Sequence, residues 1–166
     1  MGYTTEFTGH FTIEPKLDMA QVEYINKFSR TRRVKRDPVR ASGLDDPIRE
    51  AVELPIGRDG GYFVGGRGYA GQDGDASVLD GNSPPNGQPG LWCQWVASKD
   101  GTKLMWDGNE KFYHYEEWLE YIIEHFMSPW KKRLNGRVRW VGEDIEDTGI
   151  IEVIDDGAEI KISTLR

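Results

Sequence analysis

A glycine-rich stretch, GGRGYAGQDGD at residues 65–75, has the spacing of a phosphate-binding loop. Gly66, Gly68 and Gly71 match the pattern G-x-G-x-x-G, and an apolar run at 62–64 precedes them. In a dinucleotide site these glycines must open a helix, because its N-terminal N–H groups and its dipole bind the pyrophosphate. Residues 72–90 contain too many glycines and prolines to sustain that helix. We therefore interpret the motif as a result of glycine density.

The acidic residues of the same stretch fail the patterns of calcium-binding loops. An EF-hand beginning at Asp73 would place Val78 where the loop needs glycine and Pro84 where it needs glutamate. A calcium β-roll would need an aspartate at Ala70 and further repeats along the chain. The sequence thus predicts no metal site and no cofactor. It predicts a long structured loop over residues 57–90, which hold 11 glycines.

Histidines and carboxylates on one helix are the strongest candidates for acid–base chemistry. His114 and His125 lie near Glu117 and Glu124, but three turns separate the two histidines, roughly 16 Å, so they cannot share one ion. Signatures of a Ser-His-Asp triad, a Cys-His pair or a P-loop are missing. The acids at 143–147 fit a solvated turn. The sequence therefore predicts no catalytic residue and favours a protein without enzymatic activity.

Positive charge is concentrated in the segment RTRRVKRDPVR at residues 30–40, which we call the basic island. Its local charge is +5, whereas the whole chain carries −7. We expect its side chains to be mostly exposed and to contact an acidic protein partner, with nucleic acid as the alternative partner. A structural role at the C-terminus of a helix competes with this interpretation. The predicted contact residues are Arg30, Arg32, Arg33, Lys35 and Arg36.

The second predicted contact surface is the loop itself, from Arg67 to Asp80, beside Trp92 or Trp95. Glycine lets such a loop approach a partner's backbone closely. Because the two tryptophans are three residues apart in a predicted strand, they face opposite sides and at least one belongs to the core. The loop residues predicted to bind are Arg67, Tyr69, Asp73 and Asp75.

The elements that must position these residues follow from hydrophobic periodicity. Residues 3–13 alternate as a half-buried strand, and Asp18 with Gln21 forms a capping box for a helix to about residue 31. A short helix is expected at 46–54, a short strand at 62–64, a hairpin at 91–107 and a long helix at 110–128. Three strands follow at 137–142, 149–154 and 158–164, the last two joined by a type I′ turn at Asp156-Gly157. This order predicts a single α+β domain, residues 1–166, with a mainly antiparallel sheet and two packed helices.

Composition limits the cellular setting. The chain of 166 residues has one cysteine, Cys93, which excludes an internal disulfide and favours a reducing, cytoplasmic location. Its beginning lacks the pattern of a signal peptide, and no apolar stretch is long enough to cross a membrane. The oligomeric state stays open.

Several phrases of the sequence are distinctive. GQPGLWCQWV, LMWDGNEKFYHYEEWLEYIIEHFMSPW and LNGRVRWVGEDIEDTGIIEV, with YTTEFTGHFTIEPKLD and GGYFVGG, span most of the chain. In these phrases the chain resembles an uncharacterised family of small hypothetical proteins of actinobacterial tailed phages. The resemblance implies the cytoplasm of an infected bacterium and transfers no catalytic residue.

These observations together favour a non-catalytic phage accessory protein that binds a host or counter-defence protein. The alternative is a small enzyme, or a ligand- or nucleotide-binding protein, with a site near the glycine-rich loop and His114.

Overall fold

The computed structural model describes residues 2–66 and 75–166. Inter-residue contacts divide the chain into two compact units. Unit 1 comprises Met1–Val22 and Gln94–Arg166, and unit 2 comprises Glu23–Cys93. The boundary near the N-terminus falls inside the first helix.

Six of the eight described strands lie in unit 1, and the other two lie in unit 2 with most of the described helices. The described strands are β1 (Thr5–Glu14), β2 (Lys35–Arg36), β3 (Val78–Asp80), β4 (Trp95–Ala97), β5 (Lys103–Trp106), β6 (Arg133–Gly142), β7 (Thr148–Asp155) and β8 (Ile160–Leu165). The described α-helices are α1 (Met19–Arg30), α2 (Pro38–Ser42), α3 (Pro47–Glu50) and α4 (Tyr115–Ile122). A 3₁₀ turn covers Arg58–Gly60, and a π-helical turn, Ile123–Met127, continues α4.

Unit 1 is built on a six-stranded antiparallel sheet with the order β4-β5-β1-β6-β7-β8. Along β1, Phe7, Phe11 and Ile13 are buried, while the residues between them are exposed. Strands with this alternation cover one face with apolar packing and leave the other to solvent. The prediction of an α+β fold with a mainly antiparallel sheet packed against helices is confirmed.

Two glycines allow the central strands of this sheet to approach closely. Gly9 of β1 and Gly136 of β6 have φ angles of 104° and 144°. A Cβ at Gly9 would lie 2.8 Å from the carbonyl oxygen of Arg137, and one at Gly136 would lie 2.8 Å from that of His10. His10 pairs with Arg137 in the register, so both glycines lie at the same close approach of β1 to β6. A larger residue at either position would collide with the neighbouring strand.

Helix α1 begins with the predicted capping box. The Asp18 carboxylate accepts a hydrogen bond from the Gln21 amide at 2.8 Å, and the Gln21 side chain accepts one from the Asp18 amide at 2.9 Å. This reciprocal pair satisfies two donors that the first turn of a helix otherwise leaves without partners.

The long helix predicted at 110–128 is shorter than its hydrophobic pattern. Lys111 and His114 adopt left-handed φ angles of 60° and 58°, so the helix begins only at Tyr115. The aromatic residues before it still join the core, where the ring of Phe7 packs against those of Phe112 and Tyr115. The hydrophobic pattern therefore extends to Phe112, which is buried although it precedes the helix.

The connection between β7 and β8 also differs from the prediction. It spans residues 156–159, and Asp156 does not have the positive φ that a type I′ turn requires at its first central position. Instead, the Asp156 carboxylate accepts hydrogen bonds from the amides of Ala158 and Glu159. The side chain therefore closes the turn.

In unit 2 the short helices follow Asp-Pro pairs. Asp37 caps α2 by accepting hydrogen bonds from the amides of Val39 and Arg40, and this helix was not anticipated. Pro47 opens α3, which covers part of the short helix predicted at 46–54. Asp46 makes no capping hydrogen bond, because its carboxylate is buried and bonds elsewhere. The expected strand at 62–64 is absent from the described structure; Phe63 and Val64 are buried without strand pairing.

Candidate functional site

Several buried polar side chains surround the described parts of the glycine-rich loop, in unit 2. Arg33 reaches the loop from the residues after α1, and its side chain is buried. Its guanidinium donates hydrogen bonds to the carbonyl oxygens of Gly61 and Phe63 at 2.8 and 2.9 Å, and it lies over the ring of Phe28 at 4.1 Å. The Gln88 side chain also donates to the Gly61 carbonyl, at 2.7 Å. Arg33 therefore fixes a turn of the loop from inside the unit.

A second buried arginine holds the residues that lead into β3. Arg36 donates hydrogen bonds to the carboxylate of Asp75 and the hydroxyl of Ser77, both at 2.8 Å, and its guanidinium lies 4.4 Å from the centre of the Phe63 ring. Burial raises the pKa of Asp75, but the hydrogen bonds from Ser77 and Arg36 outweigh this effect and leave the pKa below its usual value. Asp75 is therefore charged at neutral pH and balances the buried guanidinium.

A buried trio of charged side chains fixes Val64. Lys27 of α1 donates to the Val64 carbonyl oxygen, and Asp46 accepts from the Val64 amide at 3.3 Å and from the Arg49 guanidinium at 2.6 Å. Burial lowers the pKa of Lys27 and raises that of Asp46, because each charged form loses its hydration. Both main-chain polar groups of Val64 thus bond to ionisable side chains.

The prediction that the basic island is mostly exposed is wrong for Arg33 and Arg36, each of which is 2% exposed. A glycine-rich loop brings main-chain carbonyl oxygens into the interior, but its glycines have no side chains that could donate hydrogen bonds to them. The guanidinium group of an arginine supplies several N–H donors at once. Arg30 is exposed, as expected. Arg32 and Lys35 are half-buried; Arg32 donates to the Gly81 carbonyl at 3.0 Å.

The predicted contact residues of the loop divide into three groups. Arg67, Tyr69 and Asp73 lie outside the described residues. Asp75 is exposed and Trp92 is half-buried, both in unit 2. Trp95 is fully buried in unit 1, where its indole N–H donates to the Tyr115 carbonyl oxygen at 2.9 Å. Trp95 is therefore a core residue and not a contact residue, in agreement with the expectation that at least one of the two tryptophans is core.

Exposed apolar side chains accompany the anchored loop. Val39 of α2 is 81% exposed and Leu79 of β3 is 59% exposed. Arg40, also exposed, donates to the carbonyl oxygen of Ala76 at 3.1 Å, and the amide of Asp37 donates to that of Ser77 at 2.7 Å. These bonds connect α2 to the residues before β3. We call Val39, Arg40 and Leu79 the α2–β3 surface.

The histidines of unit 1 are not arranged for metal binding or for a shared proton transfer. His114 is exposed, with its Nδ1 3.8 Å from the Glu117 carboxylate. His125 stacks on the Tyr121 ring at 4.0 Å, and burial lowers its pKa. Among residues 2–66 and 75–166, no three His, Cys, Asp or Glu side chains form a group that could hold a metal ion.

Tyr115, beside the sheet of unit 1, has a strongly shifted pKa. Burial and the nearby Glu116 carboxylate raise the pKa of Tyr115 to about 12. Its ring packs between Phe7 and Trp140, at 5.0 and 5.9 Å. The phenol therefore remains protonated at neutral pH and serves packing.

The sequence analysis missed Lys27, Asp46 and Arg49. One feature of the sequence pointed to this trio. Lys27 is a charged residue on the side of α1 that the apolar stripe predicts to be buried, with Tyr24 and Phe28. A lysine is rarely fully buried without a partner, so this position pointed to an internal acceptor.

No helix within the part of the chain that the structure describes is long and apolar enough to cross a membrane. Comparison of the chain with protein-family models, curated proteins and solved structures finds no match.

Proposed function

We propose that this chain is a non-catalytic binding protein that contacts a protein partner through the α2–β3 surface and the glycine-rich loop beside it. One observation carries the proposal: three fully buried cations, Lys27, Arg33 and Arg36, donate to the main chain of this loop or to the residues that lead into β3.

Burial of these three charges costs free energy. All three nevertheless bond to the glycine-rich loop or to the residues that lead into β3, so their burial needs an explanation. Moving a cation out of water costs several kcal/mol, and attraction within the protein only partly compensates. Ordering each loop residue costs roughly 1–2 kcal/mol more in backbone entropy. Hydrophobic residues would stabilise the unit at lower cost. We infer that these buried cations hold residues 61–64 and 75–77 in place so that the α2–β3 surface keeps a defined shape for binding.

The exposed residues indicate the chemistry of the partner. Val39 and Leu79 offer apolar side chains that lose hydration on binding, and Arg40 offers a guanidinium with donors left for a carboxylate. A partner with an apolar depression next to an acidic side chain matches both. On the family resemblance, we further propose that this partner is a host or counter-defence protein in the cytoplasm of an infected actinobacterium.

Site-specific photo-crosslinking tests the proposal. A benzophenone amino acid would replace Val39 or Leu79, and a matched control would carry it at Ile145, which is 83% exposed in unit 1. Each protein would be irradiated in an actinobacterial lysate, and cross-linked proteins would be identified by mass spectrometry. We expect one protein to be captured from positions 39 and 79 but not from position 145.

Competition makes the result specific. An excess of unlabelled wild-type protein should abolish the cross-link, whereas the double variant V39D/L79D should compete at least tenfold less well. Capture of the same proteins from position 145, or equal competition by the double variant, contradicts the proposal.

A further inference from the structure

The outer face of the unit 1 sheet, opposite to Phe7, Phe11 and Ile13, is open to solvent and carries a distinctive distribution of charge. Five of the 11 lysines and arginines of unit 1 lie on it, but only three of its 18 carboxylates. The cations are Lys103, Arg133, Arg137, Arg139 and Lys161, all of them exposed. Unit 1 as a whole is therefore acidic, whereas this face is net positive.

The strand register places hydrogen-bond donors beside these cations. In the pairing of β1 with β6, Thr8 lies opposite Arg139 and Thr12 opposite Asn135. Thr12 also lies opposite Lys103 of β5. Hydroxyl, amide and cationic side chains together make up the usual set of donors to phosphate oxygens.

Carboxylates offset part of this positive charge. Glu14 lies directly opposite Arg133 in the pairing of β1 with β6, and Lys103 and Arg133 interact electrostatically with the turn residues Asp100 and Asp156. Arg137 pairs with Glu152 of β7, directly opposite in the register. For the residues described, Lys103, Arg133, Arg139 and Lys161 form no ion pair with a carboxylate within 4.0 Å. No close ion pair therefore occupies these four side chains, and each can still contact an external anion.

The acids of α4 do not cancel this local field. Tyr115, at the start of α4, packs on the inner side of the sheet against Phe7 and Trp140. The exposed Glu117 and Glu120 of this helix are therefore separated from the outer face by the sheet and by most of a helix diameter, about 10–12 Å. Because the screening length is about 8 Å at physiological ionic strength, their repulsion of an anion on the outer face is strongly reduced.

We propose that this outer face binds the phosphate backbone of a nucleic-acid duplex. The outward positions of its strands carry no Phe, Tyr or Trp and one aromatic side chain, His10. The face therefore lacks a row of rings on which successive unpaired bases could stack. A duplex keeps its bases inside and presents about one negative charge per 1.7 Å of its axis. Arg133 and Arg139 are six residues apart on β6, roughly 20 Å along the strand, so they can contact separate phosphates. This inference does not depend on the proposed partner in unit 2.

Fluorescence anisotropy with a labelled 24-base-pair DNA duplex tests the proposal over 50–200 mM salt. The test variant is K103Q/R139Q, and the control is R30Q/K99Q, which removes two exposed charges elsewhere and leaves the same net charge. We expect K103Q/R139Q to bind at least tenfold more weakly at 50 mM salt. Since each phosphate contact contributes about 0.9 to the slope of log affinity against log salt, its slope should be shallower by about 1.8. The control should keep the wild-type slope and lie within threefold of the wild-type affinity.

Three outcomes contradict the proposal. The first is no binding of the duplex at 50 mM salt, and the second is an equal loss of affinity in both variants. The third is tighter binding of the single strand, or displacement of the duplex by polyglutamate as effectively as by unlabelled DNA, which would instead assign the face to unpaired nucleic acid or to an acidic polypeptide. Thermal unfolding of each variant establishes that the fold is retained.

Discussion

Arg36 and Asp75 form a 2.8 Å ion pair in which the arginine side chain is 3% exposed and the aspartate side chain 37%. The pair links β2 to the residues that precede β3, so the loop is attached through one buried and one accessible charge. This asymmetry means that pH can weaken the attachment from the aspartate side.

Asp75→Asn is therefore expected to destabilise the protein at pH 7 by about 1–3 kcal/mol, because the buried guanidinium loses a charged acceptor. The hydrogen bonds from Ser77 and Arg36 leave the folded pKa of Asp75 below its unfolded value despite burial, so its stabilisation is present above the unfolded pKa, about 4, and is lost as the pH falls through the folded pKa. Urea unfolding between pH 7 and pH 3 should show wild type and variant converging toward acid. A difference that does not depend on pH would contradict the assignment.

Arg33→Met is expected to reduce the free energy of unfolding by about 3 kcal/mol, because the carbonyl oxygens of Gly61 and Phe63 lose their guanidinium donors. Arg30→Met is the matched control: Arg30 is exposed, so its replacement should change the free energy by no more than about 0.5 kcal/mol. Equal effects in the two variants would mean that the basic island is a surface feature after all.

Asp100 closes the turn between β4 and β5. Hydrogen bonds from Thr102 and Ser98 hold the pKa of its carboxyl at about 2. Its stabilisation should be complete above the unfolded pKa, about 4. It should be lost progressively as the pH falls from there to the folded pKa, because in this range the folded carboxyl is still ionised while the unfolded one takes up its proton. Carbon-detected NMR titration should give this value, and Asp100→Asn should remove this part of the acid sensitivity of unfolding. A pKa near 4 would show that the turn does not form these bonds in solution.

Gly136→Ala is expected to destabilise the central sheet by about 2 kcal/mol, because the added Cβ would meet the His10 carbonyl oxygen and the φ of 144° strains an alanine. Gly81→Ala is the control, since a Cβ at Gly81 meets nothing within 4 Å. Thermal unfolding of both variants checks the prediction. An unchanged unfolding midpoint for Gly136→Ala would contradict the close approach of β1 to β6 at this position.

Local patterns predicted the elements whose stability is decided locally. The alternation along β1 and the Asp18–Gln21 capping box depend on neighbouring residues, so both could be read from the chain. Whether Arg33 and Asp46 are buried or exposed depends on carbonyl and amide groups about 20–30 residues away in the sequence. A cluster of charged residues is ordinarily interpreted as a solvated surface. For this reason the sequence could not distinguish a buried arginine that bonds to the loop from an exposed arginine that contacts a partner.

The central claim is that the buried arginines of the basic island hold the described parts of the glycine-rich loop in place. Native-state hydrogen exchange of the amides at residues 62–64 tests this claim most directly. These amides donate to Ile56, Gly60 and Asp46. Relative to wild type, these amides should exchange at least tenfold faster in Arg33→Met, and their exchange rate should be unchanged in Arg30→Met. The amides of β6 should keep their protection in both variants. Retained protection at 62–64 in Arg33→Met, or the same acceleration in both variants, would contradict the account.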